Sequence, residues 1–298
     1  MISVARKILL NPGPATTTDT VKAALVVPDI CPREQEFVEV MRQVRQDLVQ
    51  IAGGDVDFHT CVLLAGSGTA AMDAVLNSVI PPNRGVAVIN NGAYGARLAE
   101  IARCYQLPLV EINFAWGAWP DLELIDQTIQ SNPEISHLAL VHHETSTGML
   151  NPLPEIAALA QDRGLSLIVD AISSLGGVPV DVRQQHIDYL LCTSNKCLQG
   201  MAGLSWVICR REALEQSGEL PGRSYYLNLY QQTASGAIAR IGRPWLPASI
   251  SSDLKHCSPR RSSPLCLLPS WSRMIPITIL ADCMTPFINV DLLFIQGS

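Results

Sequence analysis

A chain of 298 residues with 48% hydrophobic content can bury one large core, or a large and a small domain. Its formal net charge of -6, with 21 Lys and Arg against 27 Asp and Glu, argues against the clustered basic face that nucleic-acid phosphates select. A small-molecule partner is expected, with neither nucleic acid nor membrane.

Met1 to Leu10 carries basic residues but no apolar stretch of leader length and no small-residue cleavage site, so cytoplasm is the expected compartment. Phe37 to Ile51 is an amphipathic helix, with Val40, Val44, Leu48 and Ile51 at helical spacing and Gly53-Gly54 as its stop. From Cys61 to Arg210 short β-rich runs alternate with helical stretches, the pattern of βαβ units around a mostly parallel sheet. The expected strands are Cys61 to Ala65, Gly85 to Asn90, Pro108 to Ile112, His137 to His142, Ser166 to Asp170, Tyr189 to Thr193 and Ser205 to Cys209. The expected helices are Ala70 to Val79, Ala96 to Tyr105, Asp121 to Gln130 and Leu153 to Arg163, the last tolerating Pro154 in its first turn. Beyond Gln232 the character changes: residues 233–298 are rich in Ser and Pro and hold almost no helical periodicity. The most apolar late stretch, Met274 to Ile295, is broken by Pro276, Asp282, Pro286 and Asp291, so no membrane span is expected.

Nine cysteines stand without CxxC or Cys/His ligand spacing, which favours reduced thiols over disulfides or zinc. Cys192 and Cys197 are read as packing or pocket-wall residues. Adjacent His142 and His143 suggest a metal pair, but neighbours on a strand point to opposite faces, so both are read as structural or pocket-lining.

Three motifs carry chemistry. Val62 to Ala71 runs a strand through Gly66-Ser67-Gly68-Thr69 into a helix, where free N–H groups and the Ser67 and Thr69 hydroxyls suit a phosphate. The same glycines fit a dinucleotide fingerprint. That reading wants an acid at the end of the next strand, and Ile89-Asn90-Asn91 stands there instead. Leu165 to Asp170 is an apolar strand closing on a carboxylate, at the strand end where open α/β sheets bind ligands; the plainer alternative is a turn or helix-capping Asp. Tyr189 to Lys196 is an apolar strand closing on a lysine, for which a solvated surface position is the plainer alternative. Taken together, phosphate turn, acid and amine form the three-point grip of pyridoxal 5'-phosphate (PLP): anion anchor, ring-nitrogen partner and Schiff base.

With these motifs in place the first 230 or so residues resemble the class V aminotransferases of fold type I, and within them the 2-aminoethylphosphonate:pyruvate subfamily. The likeness rests on Leu9-Leu10-Asn11-Pro12-Gly13-Pro14, Gly66-Ser67-Gly68-Thr69 and Asn91-Gly92-Ala93-Tyr94-Gly95-Ala96-Arg97. It continues through His143-Glu144-Thr145-Ser146-Thr147-Gly148, Val169-Asp170-Ala171-Ile172-Ser173-Ser174-Leu175-Gly176-Gly177 and Ser194-Asn195-Lys196-Cys197-Leu198-Gln199-Gly200. Asn195 before the lysine and Cys-x-Gln-Gly after it point to the phosphonate subfamily; alanine:glyoxylate and serine:pyruvate enzymes, which usually read differently there, are the alternative.

The resemblance implies that Ser67, Gly68 and Thr69 contact the cofactor phosphate, with Ser194 in support. It implies that Tyr94 lies on the ring face, Thr145 bonds the ring's phenolic side, Asp170 pairs with the ring nitrogen and Lys196 carries the cofactor covalently. It further implies a homodimer acting on a small-molecule amine and a 2-oxo acid, moving the amino group of 2-aminoethylphosphonate to pyruvate. The expected organisation is a PLP-binding large domain with an N-terminal arm over residues 1–232. An atypical segment, out of frame or alternatively spliced, follows over 233–298. The cross-subunit phosphate contact and the acid-binding arginine of the family find no match there. Arg240, Arg243, Arg260, Arg261 and Arg273 are substitutes without motif support, so a chain with little or no turnover is the second expectation.

Overall fold

The computed structural model describes residues 7–235. In chain order the elements are α1 (Asp19–Ala23), α2 (Gln35–Ile51), β1 (His59–Ala65), α3 (Gly68–Val79), β2 (Gly85–Asn90), α4 (Ala93–Cys104), β3 (Leu109–Asn113) and α5 (Leu122–Ser131). They continue with β4 (Ile135–Val141), the two-residue strands β5 (His143–Glu144) and β6 (Met149–Leu150), α6 (Leu153–Asp162), β7 (Ser166–Asp170), β8 (Tyr189–Thr193), β9 (Leu204–Arg210), α7 (Arg211–Ser217) and α8 (Leu229–Ser235). The tail beyond 235, with its five arginines and the stretch Met274 to Ile295, lies outside the described residues, and α8 spans position 232.

Seven strands form one sheet in the order β1-β9-β8-β7-β4-β2-β3. All pairings are parallel except those of β9, which runs against both β1 and β8. The strand residues alternate between two cores, as a pleated strand covered on both faces requires. Leu138, Leu140, Leu167, Val169, Leu190 and Cys192 join the core beneath α2, α5 and α6. Ala139, Val141, Ile168, Tyr189, Leu191 and Val207 join the one beneath α3, α4 and α7. The result is a mostly parallel sheet sandwiched by helices.

The helix starts follow from local chemistry. Asp121 caps α5 through its carboxylate, which accepts the Glu123 and Leu124 N–H groups at 2.9 and 3.3 Å. Pro154 sits in the first turn of α6, where its missing N–H is harmless. Two helices begin earlier than expected, α3 at Gly68 and α4 at Ala93. Glycine carries its helix penalty in an interior, and Gly68 and Gly95 fall in first turns, where other contacts decide. Strand β4 ends at Val141, one residue before the expected His142. Among the described residues no helix is long and apolar enough to cross a membrane.

Asp188 ties the central strands together at their far ends. Its carboxylate accepts the Leu167 N–H at 2.8 Å and Arg210 Nε at 2.6 Å, while its carbonyl accepts the Arg210 N–H at 2.9 Å. Removing it strands a buried N–H and a half-buried guanidinium at once. Asp188→Ala is therefore expected to lower unfolding free energy by about 2 kcal/mol; an unchanged urea midpoint would contradict this role.

Candidate active site

Parallel strands place their C-terminal ends on one edge of the sheet, so the turns after β1, β2, β4, β7 and β8 gather there, and β9 starts there in the opposite sense. After β1 the chain turns through Gly66, whose N–H donates to Gly203 O at 2.9 Å, just before β9. Ser67 is the extended N-cap of α3, yet its hydroxyl makes no capping bond and no acid stands in the first turn. The helix therefore presents free N–H groups beside the exposed Ser67 and Thr69, a geometry that favours an anion. A Cβ on Gly68 would lie 2.6 Å from Ile172 Cδ1, so a side chain there would push the turn off the strand that carries Asp170.

Asp170 closes β7 and is 3% exposed. Its Oδ1 accepts the Ile172 N–H at 2.8 Å. Burial pushes its carboxyl up to about 7. The Ile172 N–H works against that shift, the negative charge of Glu144 reinforces it, and Arg97 and Lys196 pull the other way. A buried acid in this condition is prepared for a cation.

Lys196 lies one strand over, half-buried in the turn after β8, with Nζ 3.4 Å from Gly13 O. The N-terminal segment crosses directly above it: Ala15 N–H donates to Asn195 O at 2.8 Å, and a Cβ on Gly13 would stand 2.8 Å from Nζ. Gly13 has a φ of +149°, a conformation that side chains resist. Ser194 is buried, and its hydroxyl donates toward Met201 O and Leu204 O, at 2.5 and 3.1 Å. It holds the lysine turn against β9 instead of offering a free proton to an anion.

Tyr94 is half-buried in the first turn of α4, with the Arg97 guanidinium 4.8 Å from its ring centroid. Thr145 is half-buried in the turn joining β5 to β6. His142 meets Ser174 Oγ at 3.0 Å and His143 meets Ser173 O at 3.1 Å through their Nδ1 atoms. The two rings thus reach neighbouring residues of one turn, because the strand has already ended and alternation no longer applies. Cys192 is core, and Cys197 packs against Ser173 and Gly177. Among the described residues no cluster of three metal-binding side chains occurs.

The structure thus gathers the 66–69 turn, Asp170 and Lys196 on one edge, with the Tyr94 turn and Thr145 tied in through the fully buried Glu144. Glu144 carries no assignment from the sequence; its signal was an acid amid small and hydroxylated residues in a motif already noted. Gly13 was likewise visible only as part of a Pro-Gly-Pro turn. An anion cradle, a buried acid lacking a cation and a half-buried amine suit a ligand with an anionic tail, a basic ring nitrogen and an electrophilic carbonyl. A concavity of about 600 Å³ lined by Ile51, Leu175 and residues 176–181 contains none of these groups and is not this site.

The Asp170 shift has a stability consequence. Folding raises this carboxyl from the ordinary 3.8 to about 7, so its contribution is whole below the lower value and is lost as pH rises through the upper one. His137 and His142, held down to about 4 mainly by burial, act in the opposite sense: their contribution is whole above 6.5 and is lost as pH falls through about 4. In the ligand-free chain the stability advantage of wild type over Asp170→Asn should shrink between about pH 4 and 7. Parallel stability profiles in urea titrations would remove this assignment.

Residues 20–235 match the family Aminotransferase class-V. Over 228 residues the chain is 44% identical to the 2-aminoethylphosphonate–pyruvate transaminase of Aeromonas hydrophila, covering 76% of this chain and 60% of that protein. The Salmonella paratyphi B transaminase of the same name is 43% identical over 226 residues, covering 76% and 61%. Among solved structures, an alanine–glyoxylate aminotransferase from Nostoc sp. superposes with a TM-score of 0.72 at 28% identity, covering 78% of this chain and 62% of that one. A pyridoxamine–pyruvate aminotransferase from Mesorhizobium loti shares the fold, with a TM-score of 0.77 at 23% identity over 96% of this chain and 66% of its own. The chain spans about three fifths of the length of the curated relatives it matches. By the extent of the family match and the edge it encloses, the chain belongs to the class-V aminotransferases.

Proposed function

We propose that this chain is a PLP-dependent transaminase that moves the amino group of 2-aminoethylphosphonate to pyruvate, giving phosphonoacetaldehyde and alanine. The observation that carries the reading is the buried Asp170 carboxylate within electrostatic reach of Lys196, on the same sheet edge as the helix start at 66–69, which no side chain caps. The 43–44% identity to transaminases of that name supports the choice of substrates.

When bound, PLP supplies an electrophilic carbonyl carbon and a ring that accepts electrons. Ser67, Gly68 and Thr69 hold its phosphate at the start of α3. Asp170 would give its proton to the ring nitrogen and, as a carboxylate, hold it there. Lys196 would hold the cofactor covalently, and its Nζ, once freed by an incoming amine, would be the group placed to take up and return a proton at this edge. Tyr94 would lie against the ring and Thr145 would bond its phenolic side, while Ser194 keeps the lysine turn seated on β9.

The same reading includes a homodimer, supported by the family resemblance, and a cytoplasmic setting, supported by the free state of all six cysteines among the described residues. A second reading, a site-bearing chain with little turnover, is supported by the family match ending at residue 235. In it residues 233–298 are out of frame or alternatively spliced, and family-like sequence should be recovered from another frame of the coding DNA. A glyoxylate-using enzyme of the alanine type is the remaining alternative.

Two measurements on one preparation separate these. Borohydride should trap PLP on Lys196, with the visible absorbance band lost in Lys196→Ala; a retained band would end the assignment of the lysine. Alanine formation from 2-aminoethylphosphonate and pyruvate should fall by about 10²–10⁴-fold in that variant. Trapping without alanine formation in wild type selects the low-turnover reading, and turnover with alanine and glyoxylate instead selects the third.

A further inference from the structure

Like Asp170, Glu144 is a buried carboxylate at this edge that forms no ion pair among the described residues. It is 0% exposed. Its Oε2 accepts the N–H groups of Tyr94 and Gly95, at 3.0 and 3.1 Å, and its Oε1 accepts Ser146 N–H and Ser146 Oγ, at 3.2 and 2.6 Å. Ser146 Oγ in turn accepts the Ala93 N–H at 3.0 Å. The Ala93, Tyr94 and Gly95 N–H groups belong to the first turn of α4, where no intrahelical acceptor exists, and the twelve-residue helix directs its positive end at the carboxylate. Charge-assisted bonds of this kind are about twice as strong as neutral ones. Gly92 completes the fit: a Cβ there would stand 2.5 Å from Glu144 Cδ and 2.7 Å from Ser146 Oγ, so only glycine lets the helix start close down on the acid.

The two partners are fifty residues apart in sequence and each adjoins a half-buried residue of the proposed site: Tyr94 in the helix start, and Thr145 directly after the acid. We propose that Glu144 is a positioning residue, an internal clamp that replaces the missing N-cap of α4 and thereby fixes Tyr94 and Thr145 relative to each other. The clamp rests on hydrogen bonds within the chain. Its value for the ring rests on the PLP reading above.

The test therefore has one arm without cofactor and one with it. In the ligand-free chain, hydrogen exchange at the Tyr94 and Gly95 amides should quicken by about tenfold or more in Glu144→Ala, as two orphaned donors open to solvent. Glu144→Gln, which keeps an oxygen for both amides and turns its NH2 toward Ser146 Oγ, should stay within about threefold of wild type. Should the alanine variant not fold, Glu144→Asp, a methylene short of the helix, serves the same comparison. In the second arm PLP dissociation constants are measured for wild type, Glu144→Ala, Tyr94→Ala and the double variant. The acid's removal should weaken binding by about tenfold, and most of that loss should vanish in the Tyr94→Ala background. Unchanged amide exchange in Glu144→Ala overturns the clamp, and additive losses in the cycle overturn its action through Tyr94. A wild-type chain that takes up no PLP rejects the cofactor reading, while the amide arm still decides the clamp.

Discussion

A carboxylate walled in by apolar strands needs either a proton or a cation, and Asp170 sets that condition for the whole edge of the sheet. Its nearest donor is the neutral Ile172 N–H, and its two cationic neighbours act from a distance that leaves the carboxyl up at about 7. Every other feature of the edge is compatible with leaving this acid unfilled. The 66–69 turn presents donors to an anion beside it, and Lys196 comes from the next strand over, held by a carbonyl of the N-terminal segment.

The sheet makes this order possible at small local expense. Because β4, β7 and β8 are parallel and buried on both faces, their ends are set by registers that slip only by exchanging two cores. The antiparallel β9 then serves as a backstop: Leu204 O accepts from Thr193 and Ser194, and Gly203 O accepts from Gly66. The lysine turn and the phosphate-type turn are thus fastened to adjacent residues at the start of β9, Leu204 and Gly203. A shift of either would be felt by the other.

Much of this was readable from residue order. Strands β2, β7 and β8 match their expected limits, because an unbroken apolar run between polar turns is what burial on both faces produces. Asp170 and Lys196 stood out for the complementary reason, a charge at the end of such a run. The short helices α1, α7 and α8 and the β5–β6 pair were not readable, since two to seven residues hold too little periodicity. The helices α3 and α4 start earlier than expected because Gly68 and Gly95 lie in their first turns, packed closely on Ile172 and on the end of β2. Thr145 and Tyr94 were singled out by resemblance, whereas Glu144, inside the Thr145 motif, was passed over: its meaning lies in partners fifty residues away, which no local pattern carries.

The glycines of the edge are best understood as contact points. Gly13 admits the lysine side chain and Gly92 admits the carboxylate of Glu144, each at a separation that no Cβ tolerates. In both cases the group admitted is charged and the glycine belongs to a segment distant in sequence, so the absent side chain substitutes for solvent as the immediate surroundings of that charge. The immediate surroundings of both groups thus rest on two positions that carry no functional group at all, while the Asp170 carboxyl answers first to its own burial, then to the Ile172 N–H, and only after these to Glu144, Arg97 and Lys196.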